Sequence, residues 1–157
     1  MKIAVFSDTH GRYKGMLRAV RDYKPDCVIH LGDGADDTQE LEVAFPGLPI
    51  IGVSGNCDPD SLKPETKVVT LGGMKMFLTH GHRYAVSYGK LDTLLYAADC
   101  NGASFAMFGH THRPVFEQIE GIFVLNPGTA GIGQVNTYAR LELGRTGEVS
   151  CEIVPVP

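Results

Sequence analysis

The sequence predicts a mixed α/β fold in which two β-sheets pack face to face between helices. Three observations lead there. Short apolar runs alternate with helical periodicity through the first third of the chain. A Gly72-Gly73 hairpin signal then opens a second group of strands, and the last third is β-rich with Gly-containing turns.

In chain order, Ile3–Phe6 is continuously apolar and stops at Ser7-Asp8, as a buried parallel strand does. Met16, Leu17, Val20 and Tyr23 recur at helical spacing until Lys24-Pro25-Asp26. Cys27–Leu31 reads as a second buried strand ending in Gly32-Asp33-Gly34. A helix is expected from about Asp37 to Phe45, stopped by Pro46-Gly47, and Ile50–Val53 is a third strand. Val68–Leu71 and Met74–Thr79 flank the hairpin. Leu91, Leu94, Leu95 and Ala98 mark a helix closed near Asn101-Gly102, and Phe105–Phe108 is a strand. Val115–Ile119, Ile122–Leu125, Tyr138–Leu143 and Ser150–Val154 complete the set. Met16, Met74, Met76 and Met107 fall in apolar patterns as core filler.

A length of 157 residues with no linker or repeat suits one domain spanning 1–157. Hydrophobic residues at 43% and charged residues at 20% match a soluble globular chain. A net charge of −4 without a Lys/Arg run argues against a nucleic-acid surface. The apolar start is too short for a signal-peptide core, and no run reaches the ~18 apolar residues of a membrane span. Cys27, Cys57, Cys100 and Cys151 form no C-x-x-C pair, which fits free thiols in a reduced cytoplasm. A homo-oligomer stays open.

The chemistry concentrates in five motifs. These are Ser7-Asp8-Thr9-His10-Gly11, Gly32-Asp33, Gly55-Asn56-Cys57-Asp58, His80-Gly81-His82 and Gly109-His110-Thr111-His112. Each follows an apolar strand, and open α/β sheets place ligands beyond the carboxyl ends of their strands. Asp8 and His10 are two apart, so an extended segment would point both to one side. Seven oxygen and imidazole donors, Asp8, His10, Asp33, Asn56, His80, His110 and His112, are too many for one ion. A pair of divalent cations ~3.5–4 Å apart is the arrangement that activates water and clamps a phosphoryl group. Mixed nitrogen and oxygen donors favour transition metals over Ca without choosing among them, and Mn is the first expectation, with Ni, Co, Fe, Zn or Mg as alternatives.

This ordered series resembles the calcineurin-like metallophosphoesterase superfamily, above all its small bacterial and archaeal phosphodiesterases. The resemblance runs from Asp8 to Asn126-Pro127-Gly128-Thr129. It implies an α/β/β/α sandwich of two mixed sheets, with phosphoester hydrolysis by a metal-bridging hydroxide. It assigns Asp8, His10 and His112 to one ion and Asn56, His80 and His110 to the other, with Asp33 bridging. Catalysis would run through the metals by way of Asp33, Asn56 and His80, on a small phosphoester substrate. Where the wider superfamily often has a histidine after the asparagine, this chain has Cys57. A thiol of reference pKa ~8.5 is a poor proton donor, so acidic leaving groups should be handled best and no general acid is identified.

Other readings stand beside these. A non-catalytic protein-interaction scaffold on the same fold is one, and a phosphomonoesterase or nuclease is another. His82 fits either a residue outside the ligand set or a substrate contact, while His30 lies inside a strand as a core histidine. Asp36 is expected to cap the following helix and Asp58 to organise a turn. Arg12 and Arg113 are solvated surface or phosphate contacts. Asn126 is a turn residue able to bond the ligand loops. A nucleophilic Cys57 lacks an adjacent base.

Overall fold

The computed structural model describes residues 1–157. The chain runs β1 (Lys2–Phe6), α1 (Lys14–Tyr23), β2 (Cys27–His30), α2 (Thr38–Ala44), β3 (Ile50–Gly52), β4 (Thr66–Leu71) and β5 (Met74–Thr79). It continues through α3 (Asp92–Cys100), β6 (Phe105–Met107), β7 (Val115–Ile119), β8 (Ile122–Asn126), β9 (Thr137–Leu143) and β10 (Val149–Pro155). One sheet has the order β10-β9-β1-β2-β3 and the other β4-β5-β6-β8-β7. Both are mixed. β1, β2 and β3 are parallel, as are β5, β6 and β8, while β9, β10, β4 and β7 pair antiparallel.

Strand alternation builds the layers. Ile3 and Val5 of β1 point between the sheets, where they meet Ile29, Met76, Leu78 and Phe105. Ala4 and Phe6 point the other way, into a core with Met16, Ala19 and Val20 of α1 and Leu41 of α2. There Phe6 stacks on Tyr138, ring centres 4.9 Å apart. On the outer face of the second sheet, Phe77, Ala106 and Val124 pack against Leu94 and Ala98 of α3. The order is therefore helices, sheet, sheet, helix, an α/β/β/α sandwich. Central strands have both faces covered, which is why their sequences are continuously apolar. Truncating Phe105 or Leu78 to Ala should cost about 2–5 kcal/mol.

Met16, Met76 and Met107 are fully buried and Met74 packs against the inter-sheet core, as their apolar patterns suggest. Most boundaries differ from expectation by one or two residues. The second helix agrees within one residue at each end, and a 3-10 turn over Ala35–Asp37 precedes it. Asp36 is exposed and does not cap that helix, since no side chain caps its start. The entry is satisfied from another loop, with the Ala35 N–H donating to Asp58 Oδ1 at 3.1 Å. α1 ends on Lys24 in the left-handed region, its N–H bonded to the Val20 carbonyl, immediately before Pro25. No helix is long and apolar enough to cross a membrane.

Candidate metal centre

Five loops leave the carboxyl ends of β1, β2 and β3 in one sheet and β5 and β6 in the other. They are tied together by backbone bonds, Asp8 N–H to the Gly32 carbonyl at 2.9 Å and His10 N–H to the Asp33 carbonyl at 3.1 Å. Close approach is enforced at two glycines. A Cβ on Gly55 would run into the Asp33 carboxylate, and one on Gly109 into Ser7 Oγ.

The backbone of the ligand loops is unusual. Asp8, His10, Asp33, His110 and His112 all have positive φ, between 45° and 65°. The expected extended Asp8-Thr9-His10 segment is therefore corrected: left-handed turns, not strand alternation, aim these side chains. Asp, Asn and His enter that region more readily than most residues, yet it costs on the order of 1–2 kcal/mol per residue. Such strain persists where surrounding structure demands it.

The donors converge. Asp8 Oδ1 lies 3.1 Å from His112 Nε2 and 3.9 Å from both His10 Nε2 and His80 Nε2. Asp33 Oδ2 lies 3.3 Å from His80 Nε2 and 3.8 Å from His10 Nε2. Three groups could each hold an ion: Asp8, His10 and His112; Asp33, His80 and His110; and His10, Asp33 and Cys57. Six of the seven expected donors are thus brought together. The seventh, Asn56, is exposed, and its side-chain amide donates to Cys57 Sγ at 3.4 Å. His82 belongs to none of the groups, although its ring centre is 5.7 Å from that of His80.

The imidazoles fit a metal. His80 Nδ1 donates to the Leu31 carbonyl at 2.7 Å, which fixes the tautomer and leaves Nε2 facing Asp33. His80 Nε2 and His10 Nε2 are buried without a hydrogen-bond partner. Buried polar atoms are nearly always bonded, so two orphaned nitrogens beside two carboxylates suit a cation.

Charge is arranged accordingly. Burial alone would raise the Asp33 pKa, but the His80 imidazole 3.3 Å away and the bond from the Cys57 backbone N–H outweigh it and hold the carboxyl well below its usual range. Burial opposes a charge on His80, yet Asp33 and Asp8 beside it shift its pKa upward. Burial and the neighbouring His80 shift His110 downward. Cys57 is pushed up to about 11 by lost hydration and by Asp33, which keeps the thiol protonated and unreactive.

A second ring of bonds holds the loops. Asp58 accepts from the backbone N–H groups of Asp33, Gly34, Ala35 and Gly55, far more than one local turn. Asn126 donates to the Gly109 carbonyl at 2.8 Å and to Thr111 Oγ1, so it braces the Gly109–His112 loop. Thr129 Oγ1 donates to the Asp8 carbonyl at 2.9 Å. Gly32 N–H donates to His30 Nδ1, so His30 Nε2 carries the proton that Thr9 Oγ1 accepts at 3.1 Å. Thr9 Oγ1 in turn donates to Asp37 Oδ2, which also accepts the Gly11 N–H. His30 is thus a fully buried core histidine whose free edge supports the ligand loop. Thr9, Asp37 and Thr129 were not singled out from the sequence, because their partners are distant in the chain. Arg12 and Arg113 are exposed.

A calcineurin-like phosphoesterase superfamily domain model matches residues 1–146. The chain is 32% identical over 149 residues to the probable metallophosphoesterase YsnB of Bacillus subtilis, covering 91% of this chain and 85% of that protein. It is 29% identical over 145 residues to phosphodiesterase MJ0936 of Methanocaldococcus jannaschii, covering 82% and 83% of the two. A crystal structure of a conserved predicted phosphoesterase from Streptococcus pneumoniae superposes with a TM-score of 0.74 at 30% identity, covering 98% of this chain and 97% of that one. With its motifs, its sandwich and its convergent donors, the chain belongs to the calcineurin-like phosphoesterase superfamily.

Proposed function

We propose that this chain is a binuclear metal-dependent phosphodiesterase. The observation that carries the reading is the pair of adjacent donor groups, Asp8/His10/His112 and Asp33/His80/His110, with buried His10 and His80 nitrogens left unpartnered. Asp8, His10 and His112 would hold one ion, and Asn56, His80 and His110 the other. Asp33 would serve both, a role that its closeness to both His10 and His80 supports. When bound, the ions supply Lewis acidity to the phosphoryl oxygens and lower the pKa of an attacking water. The protein's part is orientation: the Leu31 carbonyl fixes His80, and the Cys57 N–H fixes Asp33 Oδ1 at 2.8 Å. Mn is the expected ion, with Ni, Co, Fe, Zn or Mg as alternatives that the mixed nitrogen and oxygen set also admits.

The intact donor set favours catalysis over a scaffold role. A thiol at Cys57 in place of an imidazole favours diesters with acidic leaving groups over monoesters that need protonation. The test is metal analysis beside activity. Two ions per chain and Mn-restored hydrolysis of bis(p-nitrophenyl) phosphate after chelation are expected. A single ion per chain, or full turnover in Asp33→Ala without metal, overturns the binuclear reading.

A further inference from the structure

Where the chain passes from His10 into α1, it walls a recess of about 670 Å³. Arg12, Lys14 and Arg18 line it, and no Asp or Glu does. The whole chain carries 14 Lys and Arg against 18 Asp and Glu, so this is a local reversal of charge.

The recess is fastened to the metal loops at both walls. On one side, Gly11 directly follows His10, and its N–H is held by Asp37 Oδ2 at 2.9 Å. On the other, the Gly131 N–H donates to the Asp8 carbonyl at 3.1 Å. A Cβ on Gly131 would collide with the Thr9 carbonyl, so the two walls meet backbone to backbone. The cations differ in how they are held. Arg12 Nη1 donates to the Gly131 carbonyl at 3.1 Å, whereas Arg18 is engaged through both Nε and Nη2 by the main-chain oxygen of Pro157, at 2.9 and 2.5 Å. A guanidinium has five N–H donors, so Arg12 keeps most of its own for a ligand, and the Lys14 ammonium adds a mobile charge.

We propose that this recess binds a second anionic group of the substrate, a phosphomonoester carried on the organic part of the diester. The inference rests on the phosphodiesterase reading for the position of the scissile phosphate. The metals would take that phosphate, while Arg12 and Lys14, in the recess that begins at Gly11 beside His10, take the second charge. Clefts lined by one sign of charge concentrate the opposite sign, and Arg and Lys bind phosphate through charge-assisted hydrogen bonds. The preferred substrate class is therefore a phosphodiester with an additional terminal phosphate, as in a phosphorylated nucleotide ester.

The experiment uses a matched pair on the Mn-loaded protein, thymidine 5′-(p-nitrophenyl phosphate) and the same ester with a 3′-phosphate. The phosphorylated ester should have the higher kcat/KM by about tenfold or more, the scale of one charge-assisted hydrogen bond. In Arg12→Gln/Lys14→Gln that ratio should fall toward one, mainly through KM. A wild-type ratio near one, or an unchanged ratio in the variant, overturns the proposal. A second arm does not depend on activity: metal-free, ¹⁵N-labelled protein is titrated with inorganic phosphate. Amide shifts should localise to Gly11–Arg18 and Gly131 and be lost in the double variant, with Lys14→Gln alone as the milder check on folding. Shifts without hydrolysis of either ester would sink the phosphodiesterase reading and keep the anion site, whereas hydrolysis without these shifts sinks the site.

Discussion

Asp58 Oδ2 accepts the backbone N–H of Asp33 at 2.7 Å, so one carboxylate sets the backbone from which another reaches into the candidate metal centre. Burial raises the Asp58 pKa, but four backbone N–H groups outweigh it and keep the group ionised. Asp58→Asn turns an amide N–H toward some of those donors. A stability loss of about 1–3 kcal/mol and a fall in Mn affinity of about 10–100-fold are expected, from urea unfolding and calorimetric titration. Unchanged affinity would show that the Asp33 loop is positioned by other bonds.

Metal should stabilise the fold, because it binds donors that converge only in the folded chain. At a hundredfold excess over the dissociation constant the gain is ~2.7 kcal/mol, or a rise of ~5–10 °C in Tm for a chain of this size. Asp33→Ala should lose most of that rise. A thermal scan indifferent to saturating Mn argues against a preformed site.

His30 makes the metal-free protein acid-sensitive. Burial pushes its pKa down to about 4, whereas the unfolded chain titrates near 6.5. The folded state thus refuses a proton that the unfolded state accepts, and stability falls as pH drops from about 6.5 to about 4. This group accounts for roughly 3 kcal/mol across that window. His30→Gln should flatten the wild-type slope of unfolding free energy there, and parallel pH profiles for the two proteins would contradict the assignment.

Cys57→His should change leaving-group preference. An imidazole of pKa ~6.5 in place of a thiol offers a proton, and well-placed general acids give ~10²–10⁴-fold. Alkyl phosphoesters should gain at least tenfold in kcat while nitrophenyl diesters, whose leaving group needs no proton, change little. Equal gains on both would place Cys57 away from the leaving group.

The left-handed ligands predict an inverted glycine rule. At His110, φ is 65°. His110→Gly should be more stable than His110→Ala by about 1 kcal/mol in metal-free protein, although glycine has the freer unfolded chain. Comparable urea midpoints for the two variants would mean that the turn relaxes.

Much of this molecule was legible in its sequence. β5 and β7 begin and end where alternation and the hairpin glycines place them, because those signals are local. The convergence of Asp8, Asp33, His80 and His110 was legible because each lies just beyond an apolar run. What was hidden depends on distant partners. Asp37 reads as a helix start, yet its carboxylate belongs to Thr9 and Gly11. Asp36 reads as a cap, but it is exposed, and it is Asp58, from another loop, that bonds the Ala35 N–H at the entry to the preceding 3-10 turn. The left-handed turns at Asp8 and His10 were hidden as well, since sequence suggests that conformation at glycine first.

Asp8, His10, Asp33 and Asn56 stand on loops of one sheet, and His80, His110 and His112 on loops of the other. The gap across the centre is therefore gauged by the side chains that fill the space between the sheets. Leu31 and Met107 act as shims beneath it. A lost methyl group there should let one half of the donor set shift against the other, so the spacing of the candidate donors is set from within the core.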